Sequence, residues 1–305
     1  MTLQSIQGLH HFTALSGDPT ENAKFYVNTL GLRMVKKTVN HDAPEMYHLF
    51  YGDNEGTPGS SITFFPQMSE AQGQPGTNMV TELGLRIPES SLNYWEQRLD
   101  QKEITYQKEE WLEKETLKFS DNDGLQLRLV PSKSDDFKTW SNSRVPEKHQ
   151  IQGMYHVTLS IQKTETTGKI LKEMGFKQEG QGFFRAEDGS VVKLKEENKQ
   201  GRMGKGSVHH VAFKAGDSEN HSLWRDKIQK MGMRPSPAVS RKYFTSFYFR
   251  IPSGILFEFS TMGPGYTSDE SVEELGSSLV LPEKLESRRE QIEKALPSFN
   301  EEEIK

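Results

Sequence analysis

Apolar and polar positions along the chain follow one short pattern four times over. Leu9-His10-His11-Phe12-Thr13 reads as a β-strand, and a helix-like stretch from Pro19 to Leu30 follows it, capped by Asp18 and ended by Gly31. After Leu32 to Val35 come two strand-like runs, Tyr47 to Tyr51 and Ser61 to Phe65, separated by the turn-rich stretch Gly52 to Gly59. The order is β-α-β-β-β.

The same order recurs in three further units. The second has a strand near Thr81 to Ile87, a helix from Ser90 to Gln101 and a closing hairpin through Asp121-Asn122-Asp123-Gly124. The third opens at Gly153, carries a helix from Thr164 to Met174 and closes with Gly189 to Leu194. The fourth opens at Ser207, carries a helix from Ser218 to Met231 and closes with Tyr243 to Ile251, a turn at Pro252-Ser253-Gly254, and Ile255 to Ser260. The polar segment 133–150 reads as a linker between an N-terminal domain, 1–132, and a C-terminal domain, 151–262. A polar tail, 263–305, follows, in which Leu285 to Leu296 reads as an exposed charged helix. The predicted class is α+β, with four tandem units forming paired, cupped, mixed sheets.

Composition narrows the chemistry. The 305 residues suffice for two ordinary domains, and a net charge of −5 from 38 basic and 43 acidic residues gives no basic surplus for nucleic acid. With no cysteine, disulfides, thiolate ligands and cysteine nucleophiles are excluded, so a metal site must use histidine and carboxylate. No apolar run approaches the ~20 residues of a membrane span, and the expected location is the cytoplasm, with a homo-oligomer compatible with the sequence.

The double histidines His10-His11 and His209-His210 mark the opening strands of units one and four. The second position of that pair is His11, His156 and His210 in units one, three and four, while unit two has Glu82 nearby. Four residues past the turn glycines Gly59, Gly124, Gly189 and Gly254 stand Thr63, Arg128, Lys193 and Glu258, of which only Glu258 can bind a cation. Joining units three and four would set Lys193 beside a divalent ion, an unfavourable contact. Joining units one and four gives His11, His210 and Glu258 with neutral Thr63 in the fourth place. Units two and three would then form a metal-free cup around Arg128, Lys193 and His156. Two imidazoles and one carboxylate make a facial triad suited to Fe(II), with Mn, Zn or Ni as substitutes in a purified sample. A turn centred on Ser253 sets Tyr248 opposite Glu258, on the same face. In regular strands His10 and His209 point away from their neighbours, so their presence in the site requires a bulge. Phe12, Phe247 and Phe249 read as core, and His41, His48, His149 and His221 as structural or exposed.

The repeated unit resembles the vicinal oxygen chelate superfamily, which includes glyoxalase I, extradiol dioxygenases and the fosfomycin and bleomycin resistance proteins, over about residues 5 to 262. His10-His11-Phe12-Thr13, His209-His210 and the Arg241…Tyr248…Glu258 spacing are similar to the hydroquinone ring-cleaving dioxygenases. That resemblance implies iron on His11, His210 and Glu258, with His10, Thr13, His209, Arg241 and Tyr248 around it. It implies an Fe(II)-dependent, extradiol-type dioxygenase whose partners are a hydroquinone- or catechol-type diol and O2. A histidine, His209 or His10, would move the substrate proton, and Tyr248 and Arg241 would donate to developing negative charge. A glyoxalase-type isomerase is the alternative, disfavoured by Thr63 where a basic carboxylate is expected; a non-catalytic binding protein is another.

Overall fold

The computed structural model describes residues 2–134 and 136–304. The four units pair through their opening strands into two eight-stranded mixed sheets. In the first, the strands run in the order Val239–Ser240, Phe244–Arg250, Leu256–Pro264, Val208–Lys214, Leu9–Ser16, Ser61–Pro66, Tyr47–Gly52 and Arg33–Val39. In the second, the order is Lys177–Gln178, Phe183–Arg185, Val191–Glu196, Met154–Ile161, Met79–Ile87, Gln126–Pro131, Lys114–Ser120 and Tyr106–Trp111. Unit one therefore joins unit four, and unit two joins unit three. Each sheet takes one unit from 1–132 and one from 151–262, and a single apolar cluster runs through both sheets.

The seam of the first sheet is the antiparallel pair Leu9–Ser16 and Val208–Lys214. Each of these strands also pairs in parallel with the closing strand of its own unit, Ser61–Pro66 or Leu256–Pro264. Period-two alternation then divides the faces. Phe257 and Phe259 pack toward the helix Ser218–Lys230, where Trp224 meets Phe259 at 5.5 Å between ring centroids. Glu258 and Ser260 point the other way, into the cup. Trp224 and Ile228 are fully sheltered, and such anchors contribute about 1.5–3 kcal/mol each.

The helix signals hold in detail. Asp18 and Asp217 cap their helices, each accepting two backbone N–H bonds, and Gly31, Gly175 and Gly232 follow the helices of units one, three and four with positive φ. The first helix changes pitch, α over Pro19–Ala23 and π over Lys24–Thr29. The tail departs from expectation. It forms two short helices, Glu283–Glu286 and Arg289–Ala295, whose Leu285 and Ile292 are buried with Val39 and Leu281. Closer to the fourth unit, Tyr266 and Leu275 pack with Val35 and Phe50, while Asp269 and Glu270 pair with the fully buried Lys36. The tail is thus folded onto unit one, which its sparse apolar residues did not advertise.

Candidate metal centre

The seam between units one and four carries a matched irregularity. Leu9 pairs with Phe213 and His11 with Ala212, which leaves His10 as the extra residue on its strand. Thr13 pairs with His210 and Ala14 with Val208, which leaves His209 as the extra residue on the partner strand. These two bulges turn the histidines of each pair toward one another. His10 Nδ1 lies 2.8 Å from His11 Nδ1, and His209 Nδ1 lies 2.8 Å from His210 Nδ1. The bulge that the placement of His10 and His209 demands is present on both strands.

With both Nδ1 atoms engaged, the Nε2 atoms of His11 and His210 point inward. Glu258 Oε2 lies 3.4 Å from His11 Nε2 and 2.9 Å from His210 Nε2. The three ligand atoms fall within 4.8 Å of one another, near the span of two metal–ligand bonds of about 2.1 Å. Glu258 is fully buried, yet its Oε2 has no hydrogen-bond partner despite these close approaches. An orphaned buried carboxylate oxygen facing two imidazole nitrogens is a donor set that fits a divalent cation. Burial alone would raise the Glu258 pKa, but the imidazoles of His11 and His210 hold it well below the carboxylate range. Ser260 Oγ donates to its other oxygen at 3.0 Å.

The remaining sequence-predicted residues surround this cluster. Thr13 Oγ1 is 2.9 Å from His210 Nε2 and 2.7 Å from Thr63 Oγ1. Tyr248 pairs in register with Glu258, and Arg241 donates from Nε to the Tyr248 oxygen at 3.0 Å with its guanidinium 5.1 Å from the ring centre. Burial and the Glu258 charge push the Tyr248 phenol above its usual range, so it stays protonated as a donor. His10 is buried, with Nε2 at 3.2 Å from the Thr261 carbonyl; both its nitrogens are used, and burial holds its pKa well below the usual value. Burial and His210 lower His209 to about 4.

A cavity of about 350 Å3 opens over the cluster. Leu15, Phe50, Phe65, Phe244 and Leu256 give it apolar walls, and His209, Tyr248 and Arg241 line it with the ligand set. His41 and His48, read from the sequence as structural or exposed, line it too. The signal for His48 was available: Leu49 and Tyr51 are fully buried on the helix side, so strict alternation sends His48 and Phe50 to the cup. Phe12, Phe247 and Phe249 lie in the core, as expected.

His156 stands apart. Its Nε2 lies 3.0 Å from Glu82 Oε1, its ring stacks on Trp111 at 4.1 Å, and Gly84 leaves the space its ring occupies. Arg128 grips the same Glu82 through two bonds of 2.9 and 3.1 Å and reaches Glu109 at 2.8 Å. The Arg128 guanidinium thus brings a positive charge onto the carboxylate of this second cup. Lys193 instead lies over Phe183 at 4.9 Å.

Paired β-α-β-β-β units with a buried cluster of two histidines and one glutamate in one cup, placed so that they could hold a metal ion, define the class. The chain belongs to the Glyoxalase/Bleomycin resistance protein/Dioxygenase superfamily, whose family model matches residues 8–259. It is 38% identical to MhqA of Bacillus subtilis, described as a ring-cleaving dioxygenase, across 95% of this chain and 98% of that protein. It is 28% identical to a chlorohydroquinone/hydroquinone 1,2-dioxygenase of Sphingobium indicum, across 95% of each. The crystal structure of a Bacillus subtilis protein described as a dioxygenase superposes with a TM-score of 0.93 at 37% identity, covering 97% of this chain and 98% of that one. Among the described residues, no helix is long and apolar enough to cross a membrane.

Proposed function

We propose that the protein is an Fe(II)-dependent ring-cleaving dioxygenase of extradiol type acting on hydroquinone- or catechol-type diols. The observation that carries this reading is the buried His11–His210–Glu258 cluster under a largely apolar, aromatic-sized cavity. The names of full-length relatives, a ring-cleaving dioxygenase and a hydroquinone 1,2-dioxygenase, support the substrate class.

The metal would be held by His11 Nε2, His210 Nε2 and a Glu258 carboxylate oxygen. Bound Fe(II) would supply open positions for a diol oxygen and dioxygen, and a path for electrons between them. The protein's own groups do the rest. For Nε2 of each ligand to hold a metal, its Nδ1 must carry the proton and donate to the neighbouring histidine. His10, accepting from His11 and donating to the Thr261 carbonyl, then fixes the orientation of His11. His209, accepting at Nδ1 from His210, presents Nε2–H on the cavity side and donates a hydrogen bond to a substrate oxygen. The Tyr248 hydroxyl, polarised by Arg241, donates to a substrate oxygen as negative charge develops. Leu15, Phe65 and Leu256 exclude water and hold the ring.

Anaerobic loading with Fe(II), followed by oxygen uptake on a panel of hydroquinones and catechols, tests the proposal. Consumption of one O2 per diol with a ring-opened product carrying both oxygen atoms is expected. Turnover of a hemithioacetal with nickel or zinc and no oxygen uptake would replace it with the isomerase.

A further inference from the structure

We infer that Asp269 is a positioning residue, which ties the two edges of the first sheet together and fixes the turn from which Arg241 reaches Tyr248. Its effect on turnover rests on the donor role proposed for Tyr248; the placement of Arg241 does not. The sheet ends in the strand Arg33–Val39 on the unit-one side and in the two-residue strand Val239–Ser240 on the unit-four side. Asp269 lies in the tail, and its carboxylate holds groups from both edges. Oδ1 accepts from Nζ of Lys36, on the first edge strand, at 2.8 Å. Oδ2 accepts from Nζ of Lys242 at 2.5 Å and from the Tyr243 hydroxyl at 3.1 Å, both just past the second edge strand.

The turn that Asp269 grips is one that needs a hold. Val239 and Ser240 are exposed and form a short ladder with Ser246 and Thr245. Lys242 follows in the left-handed region, at φ 73°, a conformation unfavourable for a residue with a Cβ and kept where surrounding contacts impose it. The Arg241 N–H closes the turn by donating to the Phe244 carbonyl at 2.8 Å. From this turn Arg241 enters the cavity wall and donates to the Tyr248 oxygen at 3.0 Å, while Lys242 goes to the tail. Asp42 also approaches the Arg241 guanidinium, at 3.8 Å, but its side chain is 83% exposed, and an ion pair in water fixes little.

Buried charge stiffens the clamp. Lys36 is fully buried, and its ammonium shares its protons among the Tyr266 carbonyl at 3.2 Å, Asp269 and Glu270. The same nitrogen lies 4.7 Å from the centre of the Tyr243 ring, so unit one meets unit four at the point that Asp269 bridges. Burial would raise the Asp269 pKa, but Lys242 and Lys36 hold it below the usual range. Glu270 provides the contrast: it pairs with Lys36 and, among the described residues, makes no hydrogen bond or ion pair with the 241–243 turn.

The test follows the Arg241 Nε–H signal by NMR in the full-length protein, carrying isotopically labelled arginine and no added metal, so that the readout needs neither iron nor substrate. Arg241→Lys assigns the signal. Asp269→Asn, which loses the charge, and Lys242→Met, which removes the ammonium at a half-exposed position, are each expected to speed its exchange with solvent about tenfold, and Glu270→Gln to change it less than about twofold. If the dioxygenase reading holds, Asp269→Asn also lowers kcat at unchanged KM and adds no further loss to Tyr248→Phe. Wild-type exchange in both Asp269→Asn and Lys242→Met overturns the inference, as does equal acceleration in Glu270→Gln. Should Asp269→Asn not fold, wild-type exchange in Lys242→Met overturns it alone. The expected exchange pattern in a protein that takes up no oxygen with any diol would keep the inference and remove the dioxygenase reading.

Discussion

Tyr248 stands directly opposite Glu258 across the closing hairpin of the fourth unit, with Arg241 Nε 3.0 Å from its hydroxyl. The pair puts a protonated phenol beside the one carboxylate of the cluster. Tyr248→Phe should leave metal content unchanged and lower kcat by about 100- to 1000-fold, the scale of losing one preorganised donor. Steady-state oxygen uptake with parallel metal analysis checks it. Because Arg241 acts through Tyr248, the double variant should cost little more than the single.

The second cup makes a contrasting prediction. Glu82 is buried and held by Arg128 and His156; burial would raise its pKa, but these two partners bring it far below the carboxylate range. Arg128→Met should destabilise the fold by about 3–5 kcal/mol, since it strands a buried carboxylate. Urea unfolding measures the loss, and the folded variant should retain full metal content.

Asp121 gives a pH dependence. Its carboxylate accepts from the N–H groups of Asp123 and Leu125 and from the Tyr26 hydroxyl. Burial, opposed by these bonds, pushes it up to about 7 from 3.8. Between those values the folded protein holds a proton that the unfolded chain has lost, so this group's contribution makes stability fall as pH rises through the window. Asp121→Asn keeps the two accepted bonds and can donate to the Tyr26 oxygen. Denaturant titrations at pH 5 and pH 8 should show the variant gaining on wild type at pH 8.

The architecture was legible because the repeat could be aligned against itself. Lys193 and Thr63, at equivalent closing positions, decided between two pairings on charge alone, and the observed seam joins units one and four. Tyr248 came from the family resemblance, and hairpin counting set it opposite Glu258, where the register has it. His10 and His209 were harder, since period two sends them to the wrong face and only the bulges return them; nothing local in Leu9-His10-His11 or Val208-His209-His210 announces a bulge. His48 was misplaced although alternation could have found it. The helical character of the tail was legible but its docking was not, because the packing rests on isolated residues, such as Leu285 and Ile292, and on the distant ion pairs of Lys36.

The central claim is that the site joins the two ends of the repeat and excludes the third unit. Iron stoichiometry after anaerobic loading of wild type, His11→Ala, Glu258→Gln and His156→Ala tests it most directly. About one equivalent in wild type and in His156→Ala, with little in the other two, is the expected result. Loss of iron from His156→Ala with retention in His11→Ala would contradict it.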